Sequence, residues 1–349
     1  MPVLVTSPRF VGRREELAVL EAALTRAEGG EGSVVLVSGE SGMGKSRLIE
    51  GFVTTARARG AIALIGECLE LADGELPYAP IAGALRSLLH EPANDAVAPD
   101  LAALERLLAE LTPGSPASEG DTQSTVSRAR LFERLVSTLF DLSRRAPAVV
   151  MVVEDLHWAD RSTGDFMSFL VRSARRQRLV LIVSYRSDEL DRRHPLRPLV
   201  LELERSGRAA RLALRPFNRD ELIDQVTAII DAPPEPSLID RLAERAEGNP
   251  FFAEELLAAS VSPGSALPES LRDTLLLRVE ELSPDAQSVL RIAAVAGCTV
   301  DHALLAAVAG LPEGQLAQAL GEAVSRHMIV QDPSATGFSF RHALLREAV

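Results

Sequence analysis

The chain has 349 residues, 46% of them hydrophobic but only 4% aromatic, and a formal net charge of −12. Such a length predicts two or three domains, and such a composition suits cores of Leu, Val, Ile and Ala in which helices pack on a parallel sheet. The acidic balance argues against a non-specific grip on nucleic acid; Cys68 and Cys298 form no CxxC pair or zinc spacing, and no signal-peptide or 18-residue apolar run occurs, which predicts a cytoplasmic protein with buried free thiols and no membrane partner.

In chain order, the first strand signal is the apolar, β-branched run over 33–38. It leads into Gly39-Glu-Ser41-Gly42-Met43-Gly44-Lys45-Ser46-Arg47, and Leu48, Ile49, Phe52 and Val53 then recur at helical spacing. Strand, Gly-x-x-x-x-Gly-Lys-Ser and helix together form the phosphate-loop pattern. Its glycines let the backbone curl until several N–H groups face one anion, and the helix start adds its positive end. Lys45 supplies a mobile charge for the β- and γ-phosphates, and the Ser46 hydroxyl is a ligand type suited to Mg²⁺. Of 37 basic residues 36 are arginine, so Lys45 is the sole lysine and falls where the motif needs one.

Ala61–Ile65 reads as a second strand. It lies in sequence between the phosphate loop and the acidic motif, and it is taken as the extra strand of one branch of phosphate-loop ATPases. Proline and glycine interrupt the pattern over 91–124, which predicts an insertion with a leucine-rich helix near 99–111 and a mobile tip around 112–124.

Residues 148–153 form another buried strand, ending in Glu154-Asp155. Acids at a strand end beside a phosphate loop sit where a metal would be. Glu154 is assigned to Mg²⁺ through its waters and Asp155 to activation of the attacking water, with the roles exchangeable or shared. Asp160 reads as the N-cap of a helix over 161–176. His157 reads as a loop histidine with a structural hydrogen bond, or else as a γ-phosphate contact. Trp158 reads as packing.

Leu179–Val183 predicts a fourth strand, and Arg186 just beyond it is placed to reach a γ-phosphate. Residues 209–214 form a weaker fifth strand. Alternation of strands and helices predicts a doubly wound, mostly parallel sheet with its ligand at the strand C-termini.

From Asn218 onward, helices are predicted at 218–231, 236–246, 250–260, 268–281, 283–296, 301–309 and 313–326. Two extended segments, 328–331 and 337–340, follow and give a winged-helix-like pattern. The last residues stop inside an amphipathic helical pattern, as a fragment of a longer protein would. The predicted organisation is an ATPase domain over 1–216, a helical lid over 217–265 and a truncated winged-helix-like domain over 266–349.

An ordered set of segments resembles one known group. These are Phe10-Val-Gly-Arg13, Gly39 to Ser46, Val152-Val-Glu-Asp-Leu-His-Trp-Ala-Asp160, Ser184-Tyr-Arg-Ser-Asp-Glu-Leu190, Arg245-Ala-Glu-Gly-Asn-Pro-Phe-Phe252 and Phe338-Ser-Phe-Arg-His342. The group is the STAND class of signalling ATPases, specifically the ATPase module of large LuxR-type transcriptional regulators. The resemblance implies ATP and ADP as ligands with Mg²⁺. It implies that Val11 and Gly12 frame the adenine, Arg13 closes its entry, and Pro250 packs on the base. It also implies that His342 contacts the β-phosphate of ADP in a closed state. Its partners would be the adenine nucleotide, other copies of the chain in the ATP state, and DNA only through a C-terminal domain outside these residues. Many relatives carry two aspartates where this chain has Glu154-Asp155, a departure that bears on turnover. The competing expectation is an active ATPase of a loader or remodelling machine.

Overall fold

The computed structural model describes residues 7–68, 76–90, 101–111, 123–188, 194–205, 209–260, 269–297, 299–326, 328–331 and 337–349. They fall into two compact units. One is Arg13–Leu214, and the other joins the residues up to Gly12 to Arg215–Val349.

The Arg13–Leu214 unit runs α1 (Arg14–Glu28), β1 (Ser33–Gly39), α2 (Lys45–Ala58), β2 (Ile62–Glu67), α3 (Ala79–His90), α4 (Leu101–Glu110), α5 (Gln123–Arg145), β3 (Val149–Glu154), α6 (Arg161–Ser173), β4 (Leu179–Arg186), α7 (Arg197–Arg205) and β5 (Ala209–Ala213). The strands form one sheet in the order β2-β3-β4-β1-β5, and every pairing is parallel. Successive side chains leave a strand on opposite faces, and both faces of β1, β3 and β4 are covered, so these strands are buried almost throughout, while β5 at the sheet edge is partly exposed. Val35 and Val37 of β1 meet Leu20 and Leu24 of α1 and Leu48 and Phe52 of α2. Val34 and Leu36 face the other layer, with Ile81 of α3, Leu135 of α5, Phe166 of α6 and Leu203 of α7.

The extra strand is real but is not the predicted one. β4 lies between β1 and β3, whereas the segment read at 61–65 is β2 at the sheet edge. Order along the chain does not give order in a sheet, because each crossover carries the chain over neighbouring positions. The helix expected near 99–111 is α4, and Leu104, Leu107, Leu108 and Leu111 are buried in the core. The parts of the interruption over 91–100 and 112–122 lie outside the described residues. The helix expected over 161–176 ends at Ser173 and passes into a 3₁₀ turn, Ala174–Arg176.

The second unit contains α8 (Arg219–Ile230), α9 (Pro236–Ala246), α10 (Pro250–Ser260), α11 (Glu269–Glu280), α12 (Pro284–Ala296), β6 (Thr299–Asp301), α13 (His302–Ala309), α14 (Glu313–Ser325), β7 (Ile329–Gln331), β8 (Gly337–Phe340) and α15 (Ala343–Ala348). A single apolar cluster runs from Leu222 through Leu256 and Leu290 to Leu345. The two extended segments expected at 328–331 and 337–340 pair as the antiparallel strands β7 and β8. The three-residue β6, not foreseen, adds to the other edge of β8. Among the described residues, no helix is long and apolar enough to cross a membrane.

Candidate active site

The loop between β1 and α2 is shaped by backbone that L side chains avoid. Gly42 has φ +79° and Gly44 φ +85°, both left-handed. A Cβ on Gly44 would meet nothing within 4 Å, so glycine is required there for conformation and not for space. Gly44 is the N-cap of α2, with no side-chain cap and no acid in the first turn. The contrast with other helices is instructive. The Asp160 side chain caps α6 by accepting from the Thr163 N–H, and Asn218 and Glu221 close α8 with a capping box. Of these three helices, α2 alone has no side-chain cap, and a helix start of that kind is suited to an anion.

Lys45 is 8% exposed, and its ammonium donates to the Gly39 and Glu40 carbonyls, each at 3.0 Å. Beside it the Ser46 hydroxyl donates to Glu154 Oε2 at 2.6 Å. The sheet order brings these two together. Glu154 closes β3, Ser46 follows β1, and the C-terminal end of β4 lies between. Met43 is buried, Ser41 and Arg47 are half-buried along the same loop and first turn, and Gly39 packs close to Leu214. Arg13 is 5% exposed and reaches the same loop, its Nη2 donating to the Met43 carbonyl at 3.2 Å and its Nη1 to Glu16.

Glu154 has its acidity weakened, first by burial and then by the charges of Asp155, Glu67 and Glu50, while the Ser46 hydrogen bond pulls the other way. Glu67 stands directly across from Glu154 in the β2–β3 register. Among the described residues, no group of three or more His, Cys, Asp or Glu is arranged to hold a metal alone. An acid and a hydroxyl beside an anion cradle instead suit Mg²⁺, which keeps several waters and takes further oxygens from phosphates. The residues therefore fit a polyphosphate with a divalent cation.

Asp155 adopts φ +53°, and its N–H donates to the buried Ser184 hydroxyl at 3.1 Å. The left-handed turn carries the chain from β3 into the 3₁₀ turn Leu156–Trp158. His157 is buried there and accepts from the Arg186 N–H through Nδ1 at 3.4 Å, while its carbonyl meets His194 Nε2 at 3.0 Å. Burial, followed by the charges of Arg186, Lys45 and His194, lowers its pKa to about 3. His157 is thus a neutral strut between the ends of β3 and β4. The Arg186 guanidinium lies 4.8 Å from the centroid of the Trp158 ring, a cation–π distance. Cys68 is buried, and burial raises its thiol pKa to about 12; Cys298 lies outside the described residues.

Ser184, His194 and Glu67 escaped the sequence reading. Ser184 was marked only as the first residue of a resembling segment and as a polar residue late in an apolar strand.

Val11, Gly12, Pro250 and His342 belong to the second unit. Gly12 has φ +66°, and a Cβ there would lie 2.6 Å from Glu221 Oε1. Pro250 opens α10, with the Asn249 carboxamide oxygen accepting from the Phe251 and Phe252 N–H groups. His342 caps α15 in position only. Its Nδ1 lies 3.1 Å from Glu247 Oε2, and its ring meets Phe252 edge-on at 5.8 Å. Pro250 and His342 therefore flank one turn, 247–250, between α9 and α10. Gln225 was also unforeseen: it is 2% exposed and donates to the Pro250 carbonyl and to Glu254 Oε1.

An uncharacterized protein of Rhizobium meliloti (strain 1021) is 28% identical across 97% of this chain, which spans 35% of that relative's length. Among solved structures, the Aeropyrum pernix ORC1 protein in complex with DNA is similar at 18% identity and a TM-score of 0.48, covering 99% of this chain and 93% of the other. AMPPCP-bound DnaA from Aquifex aeolicus is similar at 14% identity and a TM-score of 0.43, covering 90% and 86%. The AAA ATPase domain family matches residues 9–183, just over half of the chain. With its phosphate loop and acidic strand end in that stretch, the chain belongs to the AAA ATPase domain family.

Proposed function

We propose that this chain is a nucleotide-controlled switch that binds ATP or ADP with Mg²⁺ and hydrolyses ATP slowly. The observation that carries this reading is the juxtaposition of Lys45, the start of α2, which has no side-chain cap, and the Ser46–Glu154 hydrogen bond. In it the loop N–H groups and Lys45 hold the phosphates, and Arg13 braces the loop through Met43. Ser46 and Glu154 would hold the cation, whose charge would offset that of the phosphate oxygens. Asp155 orients the attacking water. Arg186 leaves the Trp158 face to meet a γ-phosphate, so ATP and ADP differ in what they engage.

In the second unit, Val11, Gly12 and Pro250 are assigned to the adenine and His342 to the β-phosphate of ADP. Residues 217–265 act as a lid, and 266–349, with the β6–β8 sheet, as a winged-helix domain. The supporting features are the resemblance to STAND ATPases of LuxR-type regulators and the clustering of Pro250 and His342 about one turn. ADP favours a closed form, and ATP favours an open form that self-associates. The output passes to a LuxR-type DNA-binding domain outside these residues. Each nucleotide shifts the balance only by its differential contacts with the two forms.

Calorimetry with ATP and ADP on the purified chain tests the foundation. Lys45→Ala is expected to weaken both nucleotides at least a hundredfold while leaving the circular dichroism spectrum unchanged; unchanged affinity removes the reading. Light scattering tests the switch. A larger mass with ATP than with ADP supports it, equal masses count against it, and turnover well above one per second favours a working motor instead.

A further inference from the structure

The edge of the sheet remote from the phosphate loop carries a second recess. Because all strands are parallel, their C-termini share one edge and their N-termini the other. β1 enters at Ser33 and leaves at Gly39, so the two edges are about 20 Å apart at the usual rise per residue. At the entry edge lies an open cavity of about 600 Å³, a size typical of small-molecule sites.

Three arginines from two separate stretches of sequence line it. Arg26 comes from the last turn of α1, and Arg175 and Arg176 come from the 3₁₀ turn before β4. Arg26 donates through Nε to Ser33 Oγ at 3.3 Å, which orients the guanidinium along the rim. None of the three forms an ion pair with a described residue, although Arg59, Arg134 and Arg172 in the same unit each have a carboxylate partner. Glu31 also lines the cavity, so three guanidinium groups face one carboxylate in a chain of net charge −12. Ala209 and Ala210 at the start of β5 keep the floor low.

The two loops are fixed against each other. A Cβ on Gly32 would lie 2.1 Å from the Ala174 carbonyl oxygen, so the turn carrying Arg175 and Arg176 sits on a position that tolerates only glycine. Three like charges beside a single carboxylate disfavour the fold locally, and an anion bound there relieves that cost. Guanidinium suits phosphate and carboxylate because its planar donors bind them two at a time.

We propose that this recess binds a small anion carrying two or more phosphate or carboxylate groups. The site is separate from the phosphate loop and does not rest on the nucleotide reading.

The test is calorimetric titration of pyrophosphate, and separately of citrate, into the full 349-residue chain carrying Lys45→Ala, so that the phosphate loop does not contribute. Saturable one-site binding of at least one of the two is expected, and the preferred anion tells phosphate from carboxylate recognition. Adding Arg175→Glu and Arg176→Glu is expected to weaken it at least tenfold with an unchanged melting temperature, since both side chains are exposed and unpaired. Arg26→Gln, on a separate element, is expected to weaken it several-fold, which guards against misfolding of the double variant. With Lys45 intact, the Arg175→Glu/Arg176→Glu chain is expected to keep its ATP affinity within twofold. No saturable binding of either anion overturns the proposal. So does binding indifferent to all three arginines, or tight binding of a duplex oligonucleotide where both small anions fail.

Discussion

Ionisation at Glu154 costs this fold something. Burial and the neighbouring acids raise its pKa above the ordinary 4.5, so the charged form is less comfortable in the native state than in the unfolded chain. The cost is present above the folded pKa and vanishes as pH falls below the ordinary value, where the carboxyl is neutral in both states. Glu154→Gln is therefore expected to raise the melting temperature by about 2 °C near pH 7.5. That gain should shrink toward pH 4.5, and ATP should still bind while hydrolysis is lost. Scanning calorimetry across pH with a phosphate-release assay checks both. His157 behaves oppositely. Its depressed pKa means stability present above the ordinary histidine value of 6.5 is lost as pH falls toward about 3. His157→Gln keeps an acceptor for the Arg186 N–H and is expected to flatten the pH dependence of stability below 6.5, measured by urea unfolding. Lys45, Ser46, Glu154 and Asp155 were legible because their chemistry is local: the spacing and the strand and helix on either side lie in contiguous sequence. Ser184, His194 and Glu67 were not, because each acts on a residue brought close only by sheet pairing or by a loop from beyond β4.

Helix ends and strand order decide where those residues meet. Asp160 caps α6 through Thr163 and also accepts from the Tyr78 N–H at 3.2 Å, tying the start of α3 to the start of α6. It is 6% exposed and also accepts from the Thr163 hydroxyl, so Asp160→Ala leaves three donors without a buried acceptor and is expected to cost about 2 kcal/mol by denaturant unfolding. Within α4, Leu107→Ala is expected to cost about 2–5 kcal/mol; a cost near zero would show that this helix lies outside the core. The cap at Asp160, the apolar strands and the helix near 99–111 could be read in advance, because caps and periodicity are properties of adjacent residues. The place of β4 between β1 and β3 could not, since nothing in an apolar strand states its neighbour. β6 is too short for alternation to register, and it exists because β8 offers it an edge.

Taken whole, the molecule divides its apolar residues between two units and its charge unevenly over them. A net charge of −12 opposes the counterion release that drives duplex binding. The isolated chain is accordingly expected to show no salt-dependent affinity for duplex DNA by fluorescence anisotropy, and binding that falls steeply with salt would contradict this. The sparing use of lysine has a further outcome at this scale. Lys45 carries the only side-chain ammonium in 349 residues, and it is 8% exposed against two loop carbonyls. Acylating reagents, amine cross-linkers and lysine-directed modifying enzymes therefore find, apart from any free α-amine, a single address in this chain, and that address is the phosphate loop. A lysine-specific protease has one peptide bond to cut, and whether it cuts reports directly on whether the loop is occupied.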